Sequence, residues 1–319
     1  MKGSAAVSQR KQSGFAGYLK KTDIYKNRSL YAFLLPAFIS IILFSYLPMA
    51  GIVVAFQKYD PFLGLFASKW VGFDNFRFFF RGSDWLVITV NTLYLNLIFI
   101  ASGTAAAIII AIIMTELKSK PFVKAAQTFM TLPNFISWAT VALFSVAFLS
   151  ADGIINAVFK AFGGKGIEFY SNPGPWPLTF LLIRIWKGAG WGAILYMAAI
   201  LGIDKEIYEA AKIDGAGRMR CIFNITLPLI RSTIILLLIL SIGGIFKGDF
   251  AMIYPFIGDN ALLYPTTDVV DTYLFRALRS STNMGSNMAV NLYQNILGFI
   301  LVFFANAMAK RVAPESQIF

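Results

Sequence analysis

Two cations stand inside a run of apolar residues. Arg184 and Lys187 lie three residues apart between Leu178 and Leu201, so they share one face of a helix, with Trp191 one turn further along. Ionised groups in an apolar span are expensive, and their default reading is a substrate or ion pathway. A guanidinium, an ammonium and an indole on one face suit a saccharide. The cations donate to hydroxyl or carboxylate oxygens, and the ring stacks on the sugar. An acidic oligosaccharide, such as one containing uronate, would satisfy both cations. The structural alternative stays open: Arg184 snorkels to an interface, and Lys187 donates to a carbonyl at a helix end. Asn91, Asn134 and Trp138, in neighbouring apolar runs, complete the candidate pathway.

Much other chemistry is missing. The chain has no histidine, which removes Ser-His-Asp and Cys-His catalysis and imidazole metal ligands. Cys221 is the only cysteine, so no intrachain disulfide exists, and a small buried filler is expected. No Gly-x-x-x-x-Gly-Lys-Ser/Thr phosphate cradle occurs. The nearest string, Gly163-Gly164-Lys165-Gly166, lacks the upstream glycine and the hydroxyl residue. Asp268 and Asp271 form the only close acidic pair outside the apolar runs beyond Lys247, with no second cluster to hold a metal. We expect no catalytic residue, no metal site and no cofactor bound by this chain.

The elements that position these residues are long and apolar. Of 319 residues, 57% are hydrophobic and 14% charged, against about 25% charged in a soluble domain. Six segments reach the roughly 20 residues that span a bilayer: Leu30 to Phe56, Leu86 to Met114, Ala125 to Leu149, Leu178 to Leu201, Leu229 to Phe246 and Ala289 to Ala309. The fold class is therefore all-α integral membrane protein, with about six transmembrane helices. Pro36, Pro48 and Pro133 interrupt their hydrogen bonding, and small residues from Ser102 to Ala107 favour close packing. The net charge of +12 reads as an orientation signal rather than a nucleic-acid surface. Lys and Arg outnumber those of the opposite loops about twofold in the N-tail, Thr115–Lys124, Gly202–Arg231 and the C-tail, which places both termini in the cytoplasm. The expected organisation is a basic N-terminal tail over 1–29, a transmembrane domain over 30–309 and a C-terminal tail over 310–319. Lys247 and Asp249, at the outer end of the fifth span, are close enough in sequence to pair. No Asp or Glu falls inside a span, which argues against an ion-coupled carrier.

The loop 202–228 carries the sharpest pattern. Asp204 is a candidate N-cap, and Ile207, Ala210, Ala211 and Asp214 recur on one helix face. Asp214-Gly215 predicts a helix stop, a second short helix follows over Ala216 to Asn224, and Pro228 fits the first turn of the fifth span. On physics alone this is a helical knob between two spans. Its residues, however, match the EAA loop of bacterial ABC-importer permeases: Glu209, Ala210, Ala211, Gly215, Ile225, Leu227 and Pro228. Phe44–Gly51, Ser68–Phe76, Asn91-Thr-Leu, Leu132–Trp138 and Trp186–Trp191 resemble the carbohydrate-uptake branch and its polysaccharide, LplB-like permeases, over nearly the whole chain from Leu30. The resemblance implies the type I ABC-importer permease fold in the bacterial cytoplasmic membrane. It implies a loop, including Asp214, that docks a dimeric ABC ATPase, which binds the ATP and Mg. It further implies a second homologous permease subunit, an extracytoplasmic solute-binding protein, surrounding lipid and oligosaccharide cargo moved by alternating access. A peptide-carrying ABC permease and an ion-coupled secondary transporter are the alternatives.

Overall fold

The computed structural model describes residues 27–82, 84–280 and 283–312. Most of the basic tail expected over 1–29, and the end of the tail expected over 310–319, lie outside them. The chain divides after Val53 into two compact units. The first contains most of α1 (Arg28–Phe56), whose exposed Phe33, Phe38 and Phe44 have the composition of a lipid-facing surface. Pro48 has no N–H to give the carbonyl of Phe44, and the helix widens over Ile42–Tyr46 just before it.

The second unit begins with the end of α1. There β1 (Gln57–Lys58) pairs antiparallel with β2 (Lys69–Trp70), and α2 (Asp74–Arg81) follows. Asn75 Nδ2 donates to the carbonyls of Ala55 and Gln57, both at 2.9 Å, so α2 is pinned to the end of α1. The long helices are α3 (Asp84–Glu116), α7 (Trp176–Leu201) and α13 (Met284–Val312). One apolar core gathers Leu95, Phe99, Trp176, Phe180, Met252 and Phe256; another gathers Ala107, Ala111, Ala193, Tyr196 and Ile230. A Cβ on Gly192 would sit 3.4 Å from Ala107, so the small residues let α3 and α7 approach closely.

Among the described residues five helices are long and apolar enough to cross a membrane, and a bent pair makes a sixth. Two of the expected spans differ in detail. The run expected as one helix over Ala125–Leu149 is divided into α4 (Lys120–Thr131), a tight turn over Leu132–Phe135 and α5 (Trp138–Leu149), and α6 (Ile154–Ala161) follows. The membrane-length segment is Trp138–Ala161. Pro133 cannot donate to the carbonyl of Phe129, and Ser137 starts a new helix by accepting from the Thr140 N–H at 3.1 Å. Hydropathy falls on the α4 side of this break, where Gln127, Thr128 and Thr131 interrupt the apolar run, so the membrane-length segment begins only at Trp138. The fifth span, expected from Leu229, is preceded by α8 (Lys205–Ile213) and α9 (Arg218–Leu229), and α10 (Arg231–Ile242) leaves α9 at 59°. Pro228 therefore ends α9 rather than opening the span. A wide turn over Ile222–Thr226 accommodates its missing N–H, as happens before Pro48. Along the chain between α10 and α13 come α11 (Phe250–Ile257), which packs against α5, and α12 (Val270–Ser280), which packs against α13.

Gly190 marks the tightest crossing. A Cβ there would collide with the Met130 carbonyl at the end of α4, while one on Gly188 meets nothing within 4 Å. Gly190→Ala should destabilise the detergent-solubilised protein by about 1–3 kcal/mol, read as a lowered melting temperature. Gly188→Ala should leave it unchanged.

Candidate translocation cavity and coupling loop

The break over Leu132–Phe135 leaves carbonyls without helical partners, and it lies against Lys187, near the middle of the membrane-length helix α7, at a depth where lipid cannot supply any. Lys187 Nζ donates to the Asn134 carbonyl at 2.8 Å and lies 5.0 Å from the centre of the Trp138 ring. Lys187 is 7% exposed. Trp191 is half exposed and meets Phe135 edge-on at 6.0 Å. Lys187, Asn134, Trp138 and Trp191 are thus brought together around the broken segment. Asn91 is elsewhere, donating to the carbonyls of Tyr264, Pro265 and Asp268.

Arg184 faces a different neighbourhood. It lines a cavity of about 820 Å³ between α3, α7 and α10, with Asn96, Thr104, Tyr196, Ser241 and Lys247 among the other walls. Its guanidinium pairs with Asp249 Oδ2 at 2.5 Å and stands 4.9 Å from the Phe99 ring centre. The Asp249 carboxylate, which sequence proximity suggested for Lys247, therefore goes to Arg184. Asp249 Oδ1 also accepts from the Met252 N–H and caps α11. A second acid, Asp271, reaches the same cavity from α12, where Gln294 Nε2 donates to it at 2.8 Å. Burial raises the Asp271 pKa above the usual carboxylate range, and the Gln294 bond and the charge of Lys247 oppose that rise. Asp268, its expected neighbour, is instead tied to Arg276 at 2.5 Å under the Tyr264 ring. Among the described residues no group of acids and cysteines could hold a metal ion.

At the other end of α7 the loop forms a knob. Asp204 Oδ1 accepts from the Glu206 N–H at 3.3 Å and caps α8. Gly215 adopts φ +78°, closing α8 with the Ala216 N–H on the Ala211 carbonyl at 2.8 Å. Tyr208 and Thr226 hydroxyls, 2.9 Å apart, tie α8 to α9, and Cys221 is buried beneath. Glu209, Ala210, Asp214 and Gly215 are exposed, Ala211 partly so, and Ile213 and Met219 present apolar side chains outward. Ile225 and Leu227 are partly covered in α9, while Pro228 is exposed just before the bend.

Residues 103–314 match the family described as "Binding-protein-dependent transport system inner membrane component". The chain belongs to this family. Among the relatives of this permease is protein LplB of Bacillus subtilis, 38% identical over 91% of each chain. Another is the polygalacturonan/rhamnogalacturonan transport system permease protein YteP of the same organism, 38% identical over 92% of this chain and 91% of that one. A solved bacterial alginate ABC transporter, in complex with an alginate pentasaccharide-bound periplasmic protein, contains a chain that superimposes with a TM-score of 0.83. The two are 34% identical over 91% of this permease and 97% of that chain. A second structure, of a bacterial ABC transporter involved in the import of the acidic polysaccharide alginate, gives 0.84 at 34% identity. The permease is thus a multi-pass inner-membrane component of a binding-protein-dependent transport system.

Sequence reading did not place Lys247, Asp249 and Asp271 in the permease cavity, because all three fall outside helical spans. Gly248 was the available signal: a Cβ on it would collide with Val269, so the turn after α10 must nest against the start of α12. The Arg184–Asp249 pair can be measured with Arg184→Met and Asp249→Asn. A third of the Arg184 side chain is accessible, which holds the coupling to about 1 kcal/mol. In thermal unfolding the double variant should lose less stability than the two single variants summed. Strict additivity would contradict the pair.

Proposed function

We propose that this permease is the membrane-spanning subunit of an ATP-driven importer of oligosaccharides. The observation that carries the reading is the cavity beside Arg184. It combines a charged pair, the hydroxyls of Thr104, Tyr196 and Ser241 and aromatic rings in a chain whose relatives include a polygalacturonan/rhamnogalacturonan permease and a chain of an alginate transporter. Such a lining satisfies many hydroxyls without one fixed geometry, as a chain of sugar units requires.

On this reading both termini face the cytoplasm, and the knob of α8 and α9 docks one subunit of an ATPase dimer. ATP and Mg bind to that dimer, because this chain has no phosphate cradle. A second permease subunit completes the pathway, and an extracytoplasmic binding protein delivers the sugar. Nucleotide at one end and loaded binding protein at the other bias the same two-state bundle, which exposes the cavity to each side in turn.

Proteoliposomes carrying the assembled complex should accumulate an oligosaccharide only with ATP on the knob side and binding protein on the other. Accumulation driven by a proton or sodium gradient without ATP would overturn the reading in favour of a secondary transporter.

A further inference from the structure

The cations near the middle of the permease are not equivalent. Lys187 is spent on the Asn134 carbonyl, and Arg184 is spent on Asp249. Lys247 differs. Among the described residues no hydrogen bond or ion pair engages its ammonium; the residue is exposed and lines the cavity, and it also lines a neighbouring cavity with Gln294 and Asn295. Its backbone, by contrast, is held firmly. Asn96 Nδ2 donates to the Lys247 carbonyl at 3.0 Å and to that of Ile245 at 2.9 Å. Gly248 then packs its α-carbon against Val269. A fixed stem with an uncommitted charged head is the arrangement expected of a recognition group, since little backbone entropy remains to be lost on binding.

The surroundings narrow the ligand. Asp271 is the acid whose ionisation the Lys247 charge favours, yet burial and the Gln294 bond set its environment. Asp271 and Phe250 also line a second cavity, of about 530 Å³, with Tyr59, Phe275 and Asn291. The two cavities therefore share a wall next to Lys247. A chain of sugars passing from one to the other would bring successive units past the same ammonium.

We propose that Lys247 recognises the carboxylate of a uronate unit and so selects acidic over neutral oligosaccharides. This rests on the oligosaccharide-importer reading above. Lys247 acts as a point charge rather than a bidentate fork, which suits a carboxylate that must be released to the next step.

The test uses the full complex with its binding protein in proteoliposomes, comparing uptake of trigalacturonate and of its neutral methyl ester. The wild type should prefer the acid by about tenfold, a size expected of one charge-assisted hydrogen bond. Lys247→Gln should bring the preference to within about twofold by slowing the acid alone, and Lys247→Arg should restore most of it. An unchanged preference in Lys247→Gln, with both compounds still imported, overturns this assignment and leaves the importer reading standing. Uptake of neither compound by the wild type overturns the cargo reading and the assignment together.

Discussion

A backbone broken within a bilayer must find its hydrogen bonds inside the protein, because lipid offers none. Most of this structure follows from that constraint. The permease breaks its helices at Leu132–Phe135 and again after Ile242, and polar side chains from intact helices close each gap. Lys187 of α7 serves the first. Asn96 of α3 and Gln294 of α13 serve the second, through the carbonyls of Ile245, Lys247 and Phe246. Asn91 serves the short turn that leads to α12. The polar groups of the spans are therefore largely framework. The cavity is built from what the breaks allow: a turn carrying Lys247 and Asp249 folded back beside α3 and α7.

This division explains what could be read from the residues alone. The knob was legible because its signals are local: a capping aspartate at Asp204 and a positive-φ glycine at Gly215 act within a few residues, whereas Pro228, read as opening the fifth span, ends α9 instead. The apolar runs were legible because bilayer thickness fixes their length. The breaks were not, because a span drawn by length alone over Ala125–Leu149 joins the amphipathic end of α4 to the apolar α5 across Pro133. The cavity charges were less legible still. Arg184 and Asp249 are 65 residues apart in sequence, and only the tertiary fold brings them together. Sequence reasoning placed Arg184, Lys187 and Trp191 on one face at helical spacing. It could not tell that the backbone of the turn Leu132–Phe135 would claim Lys187 and that an acid from beyond α10 would claim Arg184.

The same framework suggests how the proposed importer would transmit motion. The knob is tied internally by Tyr208 and Thr226 and joined to α10 through a 59° bend that follows a widened turn and a proline. A rigid lever on a compliant joint moves as a unit, so displacement at α8 would reach α10 and the cavity wall it forms. Gly215 matters most here. No neighbour lies within 4 Å of a Cβ built on it, so its requirement is conformational rather than steric.

The most direct measurement is affinity purification of the tagged permease from its native membrane, wild type beside Gly215→Val. A β-branched residue at φ +78° strains the turn by about 1–2 kcal/mol, and its Cβ meets no neighbour within 4 Å. The account predicts that the wild type brings down an ATPase and a second permease, and that Gly215→Val keeps the second permease but loses the ATPase. A wild-type protein that purifies alone, or a variant that retains the ATPase fully, would contradict it.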